Sequence, residues 1–330
     1  MHLLILSRKA SLYSTRRLTE TARARGHVVS IIDPLEFSLV VSRGKPQLFL
    51  RGQPVSGYDI VLPRIGASIT SYGLAVVRQF DMMGVPVLNH AVSIARSRDK
   101  LRAMQLLTKR DLDIPTTVCT KSTAYLDSAL QLVDAPPAII KLHQGTQGVG
   151  VMLAETRQSV QSTLESFWSL GQDIILQEFV SESKGRDIRV IVVGGRVVAA
   201  MRRTAKRGEF RSNLHRGGDA EGISKLNPKY AKAAIAAAEV MALEVCGVDM
   251  LETRRGPRIL EINSSPGLEG IERATQKDVA SAIVQHAERF FRARQGRRRK
   301  GAYEGPAEVF EEESGVARAK RRKSRKSRAR

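Results

Sequence analysis

Three residues with hard oxygen donors gather late in the chain. Glu261 and Asn263 stand two positions apart in "RILEIN", and Asp249 lies in the apolar run "GVDML". Side chains at i and i+2 of a strand share a face, so Glu261 and Asn263 can reach one object. Two carboxylates and a carboxamide suit a magnesium ion, which keeps waters and substrate phosphates in its shell rather than filling a protein cage. Any one of these acids could instead cap a turn or pair with an arginine. Together with an upstream lysine and glycine loop they point to a site. That loop lies in "AIIKLHQGTQGVGVMLAET", where Lys141 ends an apolar strand just before Gly145, Gly148 and Gly150. Small residues let backbone amides approach a ligand, and a lysine beside them is an arrangement that holds polyphosphate. The order G-x-x-G-x-G is not the dinucleotide fingerprint, and the absence of GxxxxGK[ST] excludes a P-loop.

The elements that must carry these groups follow from periodicity. "LLILS", a helical stretch to Gly26 and "VVSIID" read as strand, helix, strand, the start of a parallel sheet. "YDIVLPRIG" and "GVPVLN" add strands, and this first lobe ends near residue 90. Its first strand is not followed by GxGxxG, which argues against a dinucleotide site there. Ser93 to Arg110 has helical spacing in Ile94, Leu101, Met104 and Leu107, and "IPTTVCT" returns as a strand. A second lobe begins near Pro137. "DIILQEFVS" is a strand ending in Gln177, Glu178, Phe179 and Val180. "DIRVIVVGGRVVAAMRR" is a hairpin turning at Gly194-Gly195, with Asp187 and Arg189 at its entrance. Residues 228 to 245 form an alanine-rich helix opened by proline. "GVDML" and "RILEIN" then pair as strands.

A chain of 330 residues with 42% hydrophobic content can bury a core of this size. No run approaches the roughly 18 apolar residues of a membrane span, and the N-terminus lacks a small-residue cleavage site. The expectation is a cytoplasmic protein without membrane contact. Cys119 and Cys246 have no CxxC spacing and are expected to be small buried apolar residues. The net charge is +21, and the segment from Arg292 to Arg330 holds 15 Lys or Arg against 5 Glu, about half the excess. Blocks of like charge with few apolar residues predict a disordered tail. It is either a solubilising appendage or an electrostatic contact with RNA or the ribosome.

Through "SRDK", "IIKLHQGTQGVGV", "LQEF", "GRDIRV", "FRSNLHRGG", "GVDML" and "LEINSSPGLEGIE", residues 1 to about 290 resemble the RimK family of ATP-grasp carboxylate-amine ligases. The resemblance implies an α/β and α+β ATP-grasp fold: an N-terminal parallel-sheet lobe (1–92), two ATP-clasping lobes (93–291) and the basic tail (292–330). It implies that ATP phosphorylates a carboxylate, that an amine attacks the acyl phosphate, and that ADP and phosphate leave. The substrates implied are L-glutamate and the C-terminus of a small-subunit ribosomal protein; a homo-oligomer is implied as well. The ATP motifs do not distinguish this acceptor from a small molecule or free peptide, as in poly-glutamate synthesis.

Carried over by position, Lys100 and Lys141 contact ATP phosphates, Glu178 and the Phe179 backbone read the adenine edge, and Asp187 binds the ribose. Arg211, Ser212 and Asn213 lie near the triphosphate. Asp249, Glu261 and Asn263 hold Mg2+ or Mn2+, two ions because Glu261 can bridge. Arg203 and Arg216 are expected to hold the acceptor carboxylate and acyl phosphate. His143 and His215 lie in motif loops, where a hydrogen-bonded structural role is at least as fitting as acid-base work. Phosphoryl transfer to a carboxylate needs alignment and charge neutralisation more than a nucleophilic side chain, so no Ser-His-Asp or Cys-His set is required.

Overall fold

The computed structural model describes residues 1–43, 46–142, 150–206, 209, 210, 212 and 217–299, with the backbone alone for 296–299. Chain contacts gather into two units, Met1–Arg292 and Ala293–Arg330, and the helix Val279–Arg299 runs from the first into the second. The expected disordered tail lies, beyond residue 299, outside the described residues.

The N-terminal lobe is a parallel sheet in the order Val28–Ile32, His2–Leu6, Ile60–Pro63. Its central strand is apolar on both faces, as a strand covered on both sides must be: Leu3, Leu4, Ile5 and Leu6 are fully buried. Leu4 and Leu6 face the helix Thr70–Met82 through Val76, Val77 and Phe80. Leu3 and Ile5 face the other way, into a core shared with Ile191, Met201, Val245 and Leu268 of the C-terminal part. The first lobe is therefore cemented to the strands that carry the site. "GVPVLN", expected as a strand, makes only an isolated bridge from Val87 to Val61.

The central lobe is an antiparallel sheet in the order Thr117–Val118, Ile174–Glu178, Ala138–Leu142, Val151–Ala154. The C-terminal lobe is a five-stranded antiparallel sheet in the order Asp219–Gly222, Arg196–Thr204, Arg186–Val193, Val245–Thr253, Gly256–Asn263. Alternation gives this sheet two unlike faces. Ile188, Val190, Ala200, Cys246, Val248 and Ile262 pack under the helix Pro228–Met241, while the opposite face carries the charged residues described below.

Three boundaries differ from expectation for local reasons. The helix over 93–110 is two helices, Ala91–Arg98 and Lys100–Thr108, because Asp99 leaves helical geometry and its carboxylate caps the second by accepting from Arg102 N at 2.8 Å. The helix over 228–245 stops at Met241, where Ala242 takes a left-handed conformation, so Val245 already belongs to the next strand. Cys246 is buried as expected, but Cys119 is exposed, because it follows the two-residue strand at the sheet's edge.

Candidate functional site

Strand register assembles the charged face of the C-terminal sheet. Asp187 pairs with Arg203, Arg189 with Asp249, Asp249 with Glu261, and Gly247 with Asn263. Directly opposed residues on neighbouring strands point to the same side, so Asp249, Glu261 and Asn263 share one face. Glu261 is exposed and, among the described residues, makes no hydrogen bond or ion pair. Asn263 turns its Oδ1 to Ser265 N at 3.0 Å, which leaves that oxygen a second lone pair.

Asp249 is occupied. Arg189 donates from Nε to Oδ1 at 2.7 Å and from Nη2 to Oδ2 at 2.6 Å. Arg203 Nη2 adds a bond to Oδ2 at 2.8 Å while its Nε holds Asp187 Oδ1 at 2.7 Å. Burial alone would push the Asp249 carboxyl up, but the two guanidinium groups overcome it and hold it well below the usual carboxylate range. Burial likewise works against the Arg203 charge, and Asp249 and Asp187 outweigh it.

At 4% side-chain exposure Arg203, expected to hold the acceptor side, is a buried strut between the carboxylates of Asp187 and Asp249, and Asp187 is as deeply buried.

The donor set fits a divalent cation of the magnesium kind. An exposed, unpaired carboxylate at Glu261 stands across the strands from Asp249 with a carboxamide oxygen beside it, and Arg189 and Arg203 supply at Asp249 the positive charge that a cation would bring. Among the described residues no group of three or more His, Cys, Asp or Glu is placed to hold a metal ion.

Lys141 comes from the central sheet and Lys100 from the helix Lys100–Thr108. In Ala138–Leu142, Ile140 and Leu142 turn to the lobe's own core, so Lys141 turns the other way. Its Nζ donates to Gln177 Oε1 at 2.6 Å, and Gln177 Nε2 donates to Thr117 Oγ1 at 2.8 Å, a chain that aims the ammonium. Burial pulls Lys141 down from the ordinary lysine value to about 8; Glu261 raises it and Lys100 lowers it further. Lys100, at the start of its helix, is also lowered by burial, with Glu261 opposing and Arg98 assisting. Both lysines thus sit in the field of Glu261. Gly150 closes the loop after Lys141: with φ of +74° and a Cβ that would lie 2.5 Å from Leu142 Cδ1, only glycine fits.

At the lobe's edge Glu178 is gripped by Arg258, Nη1 to Oε1 at 2.6 Å and Nη2 to Oε2 at 2.7 Å, with Thr116 N on Oε2 at 3.0 Å. The hydrogen bond from Arg258 does most to hold its carboxyl below the ordinary value. These bonds tie the strand's end to Gly256–Asn263, and Phe179 follows Glu178 directly. Ser212 is buried. Arg211, Asn213 and Arg216, with His143 and His215, lie outside the described residues.

Sequence reasoning noted Arg189 and Gln177 by position but gave neither a role, and it passed over Arg64, Arg98 and Arg258. A lone arginine carries no periodic signal, and its partner becomes visible only with strand order.

Comparison with known proteins agrees with this arrangement. The RimK pre-ATP-grasp domain matches residues 1–94 and the RimK-like ATP-grasp domain matches residues 97–287. A protein of Thioalkalivibrio sulfidiphilus named probable alpha-L-glutamate ligase is 52% identical over 288 residues, 87% of this chain and 95% of the relative. One of Aliivibrio fischeri with the same name is 52% identical over 285 residues, 86% of this chain and 94% of the relative. Among solved structures, the ATP-grasp ligase PsnB complexed with minimal precursor superposes with a TM-score of 0.69 at 20% identity, covering 88% of this chain and 98% of that one. D-alanine–D-alanine ligase of Bacillus anthracis complexed with ATP gives 0.65 at 16% identity, covering 90% and 98%. Both halves of the chain match in order: the chain belongs to the RimK family of ATP-dependent ATP-grasp ligases.

Proposed function

We propose that the protein joins L-glutamate, through its amino group, to the C-terminal carboxylate of a small-subunit ribosomal protein in the cytoplasm. ATP first phosphorylates the acceptor carboxylate, breaking the bond between the γ-phosphorus and its bridging oxygen and releasing ADP. The amine of glutamate then attacks the acyl carbon and expels phosphate. The observation that carries the ligase chemistry is the convergence of Lys100 and Lys141 on the exposed carboxylate of Glu261, opposite Asp249. Glutamate as the amine is supported by the name shared by relatives at about half identity. A peptide acceptor is in keeping with PsnB, whose structure holds a precursor peptide.

Lys100 and Lys141 bind and orient the triphosphate, the Phe179 backbone meets the adenine, and Arg211, Ser212 and Asn213 flank the phosphates. Asp187 serves the ribose once Arg203 yields. Asp249, Glu261 and Asn263 would hold Mg2+ or Mn2+, two ions in all, which would supply positive charge against the phosphates. Arg216 holds the acceptor side. The chain works as a homo-oligomer, and its basic tail adds salt-sensitive attraction to ribosomal RNA.

The test is to incubate the purified protein with ATP, glutamate and ribosomes and to read intact masses. Glutamyl increments on one small-subunit protein, with ADP as the nucleotide product, are expected. Increments on free glutamate alone would reassign the acceptor to a small molecule, and AMP as product would overturn the acyl-phosphate route.

A further inference from the structure

Arg64 reaches the turn after Asn263 from the N-terminal side, and the charge of Arg98 acts on it from close by. Arg64 follows the strand Ile60–Pro63, and its Nη2 donates to Pro266 O at 2.7 Å. Arg98 ends the helix Ala91–Arg98, and its Nη2 donates to Ile65 O at 2.5 Å, one residue past Arg64. Arg64 is thus tied to the turn that follows the strand of Glu261 and Asn263, and Arg98 to the backbone beside Arg64. Both are half-buried.

Neither has a carboxylate within ion-pair reach among the described residues, whereas Arg25, Arg189, Arg203 and Arg258 each do. A single carbonyl satisfies one of the five N–H donors of a guanidinium. Withdrawing such a group from water without a counter-charge is unfavourable, and setting two together adds repulsion. Burial accordingly pulls Arg64 down to about 10, with Arg98 contributing, and burial also lowers Arg98, with the charge of Glu261 opposing it. An anion entering between them would relieve both effects.

In the ligase reading the charge of the triphosphate is met by Lys100, Lys141 and the cation that Asp249, Glu261 and Asn263 would hold. Lysine is a point charge suited to phosphate, while the planar fork of arginine matches a carboxylate in two-bond geometry. Each organic substrate of the proposed reaction brings a carboxylate. We propose that Arg64 and Arg98 form a subsite for a substrate carboxylate, placed by the N-terminal lobe against the turn that follows Asn263. This rests on the ligase reading above and adds to it Arg64 of the first lobe and Arg98 from the start of the ATP-grasp part. The carboxylate belongs either to the incoming glutamate or to the acceptor's C-terminal region.

The test compares wild type with Arg64→Lys, Arg98→Lys and Arg98→Ala in two measurements, with melting curves recorded for each variant. In the first, KM is obtained separately for ATP, glutamate and a glutamate-ended acceptor peptide. In the second, glutamate and the peptide are titrated calorimetrically in the presence of a non-hydrolysable ATP analogue. The expected result is at least about tenfold weaker use and binding of one carboxylate substrate, with ATP changed by no more than about twofold, because a two-bond contact is lost while charge is kept. Guanidinium ion should partly restore Arg98→Ala. A shift confined to glutamate assigns the subsite to the incoming amino acid; a shift confined to the peptide assigns it to the acceptor. A rise in KM for ATP alone, or unchanged binding of both carboxylate substrates, overturns the proposal. If wild type shows no turnover yet binds one of them through these arginines, the subsite stands and the ligase reading falls.

Discussion

Arg189 holds Asp249 through two parallel bonds of 2.7 and 2.6 Å, on an acid that faces Glu261 across neighbouring strands. Without nucleotide, guanidinium groups supply the positive charge that Asp249 needs. Asp249→Asn leaves Arg189 buried against an uncharged amide, and breaking a buried pair from one side costs about 3–5 kcal/mol. Urea denaturation should show a loss of that order together with loss of turnover. A variant as stable as wild type would mean that the arginines contribute nothing at this position.

Lys141 gives the site a pH dependence whose sign can be worked out. Its folded value of about 8 lies below its ordinary 10.5, so between those limits the unfolded chain binds the extra proton and stability rises with pH. Below about 8 the buried charge destabilises the protein in full; the cost is relieved as pH climbs. A bound triphosphate favours the charged form, so ATP should bind more weakly above pH 8, and binding there should take up protons. Calorimetry in buffers of different ionisation enthalpy reads that uptake. Lys141→Arg, charged throughout, should abolish the pH trend; a trend that persists in it would assign the effect to another group.

Asn89 is the polar joint between the first lobe and the site strands. Buried, it donates to Val245 O at 2.7 Å and Ser264 O at 3.0 Å and accepts from Glu244 N at 2.7 Å and Val245 N at 2.9 Å. Ser264 adjoins Asn263. Asn89→Asp removes both donors, strands two buried carbonyls and adds a buried charge, a loss of about 2–5 kcal/mol. Thermal and urea unfolding should show it, and the surviving folded fraction should need more magnesium for half-maximal rate. Normal magnesium dependence would mean that the joint stabilises the fold without setting the position of Asn263.

Alternation along "RILEIN" was enough to put Glu261 and Asn263 on one face, since a period of two needs no knowledge of neighbours, and the structure places Asp249 beside them. The partners of Asp249 were not legible. Arg189 and Arg203 lie 60 and 46 residues away in sequence, and only the order of the antiparallel strands brings them together. The break at Asp99 was hidden for a different reason. An acid inside a helical pattern reads equally as a solvated face or as a cap, and the choice depends on whether the chain must turn there. Arg64 and Arg98 carried no local signal, since what distinguishes them is that, among the described residues, neither has a carboxylate within ion-pair reach in three dimensions.

Glu288 shows how the helix Val279–Arg299 is fastened to the first lobe. Arg25 donates to it from Nε at 2.7 Å and Nη2 at 2.9 Å, and the His27 ring lies 2.8 Å from Oε1. The Arg25 bonds pull the Glu288 carboxyl from its ordinary 4.5 to about 2, against burial and with help from His27. A carboxyl depressed on folding contributes stability that is complete above its unfolded value and drains as pH falls through the folded one. The window is therefore pH 4.5 down to 2. Glu288→Gln should be less stable than wild type at pH 6, and the gap should narrow through that window as wild type loses its advantage. Urea midpoints at pH 6, 4 and 3 measure it. A gap that stays constant over those three conditions would show that the contact acts through packing of the side chain and not through its charge.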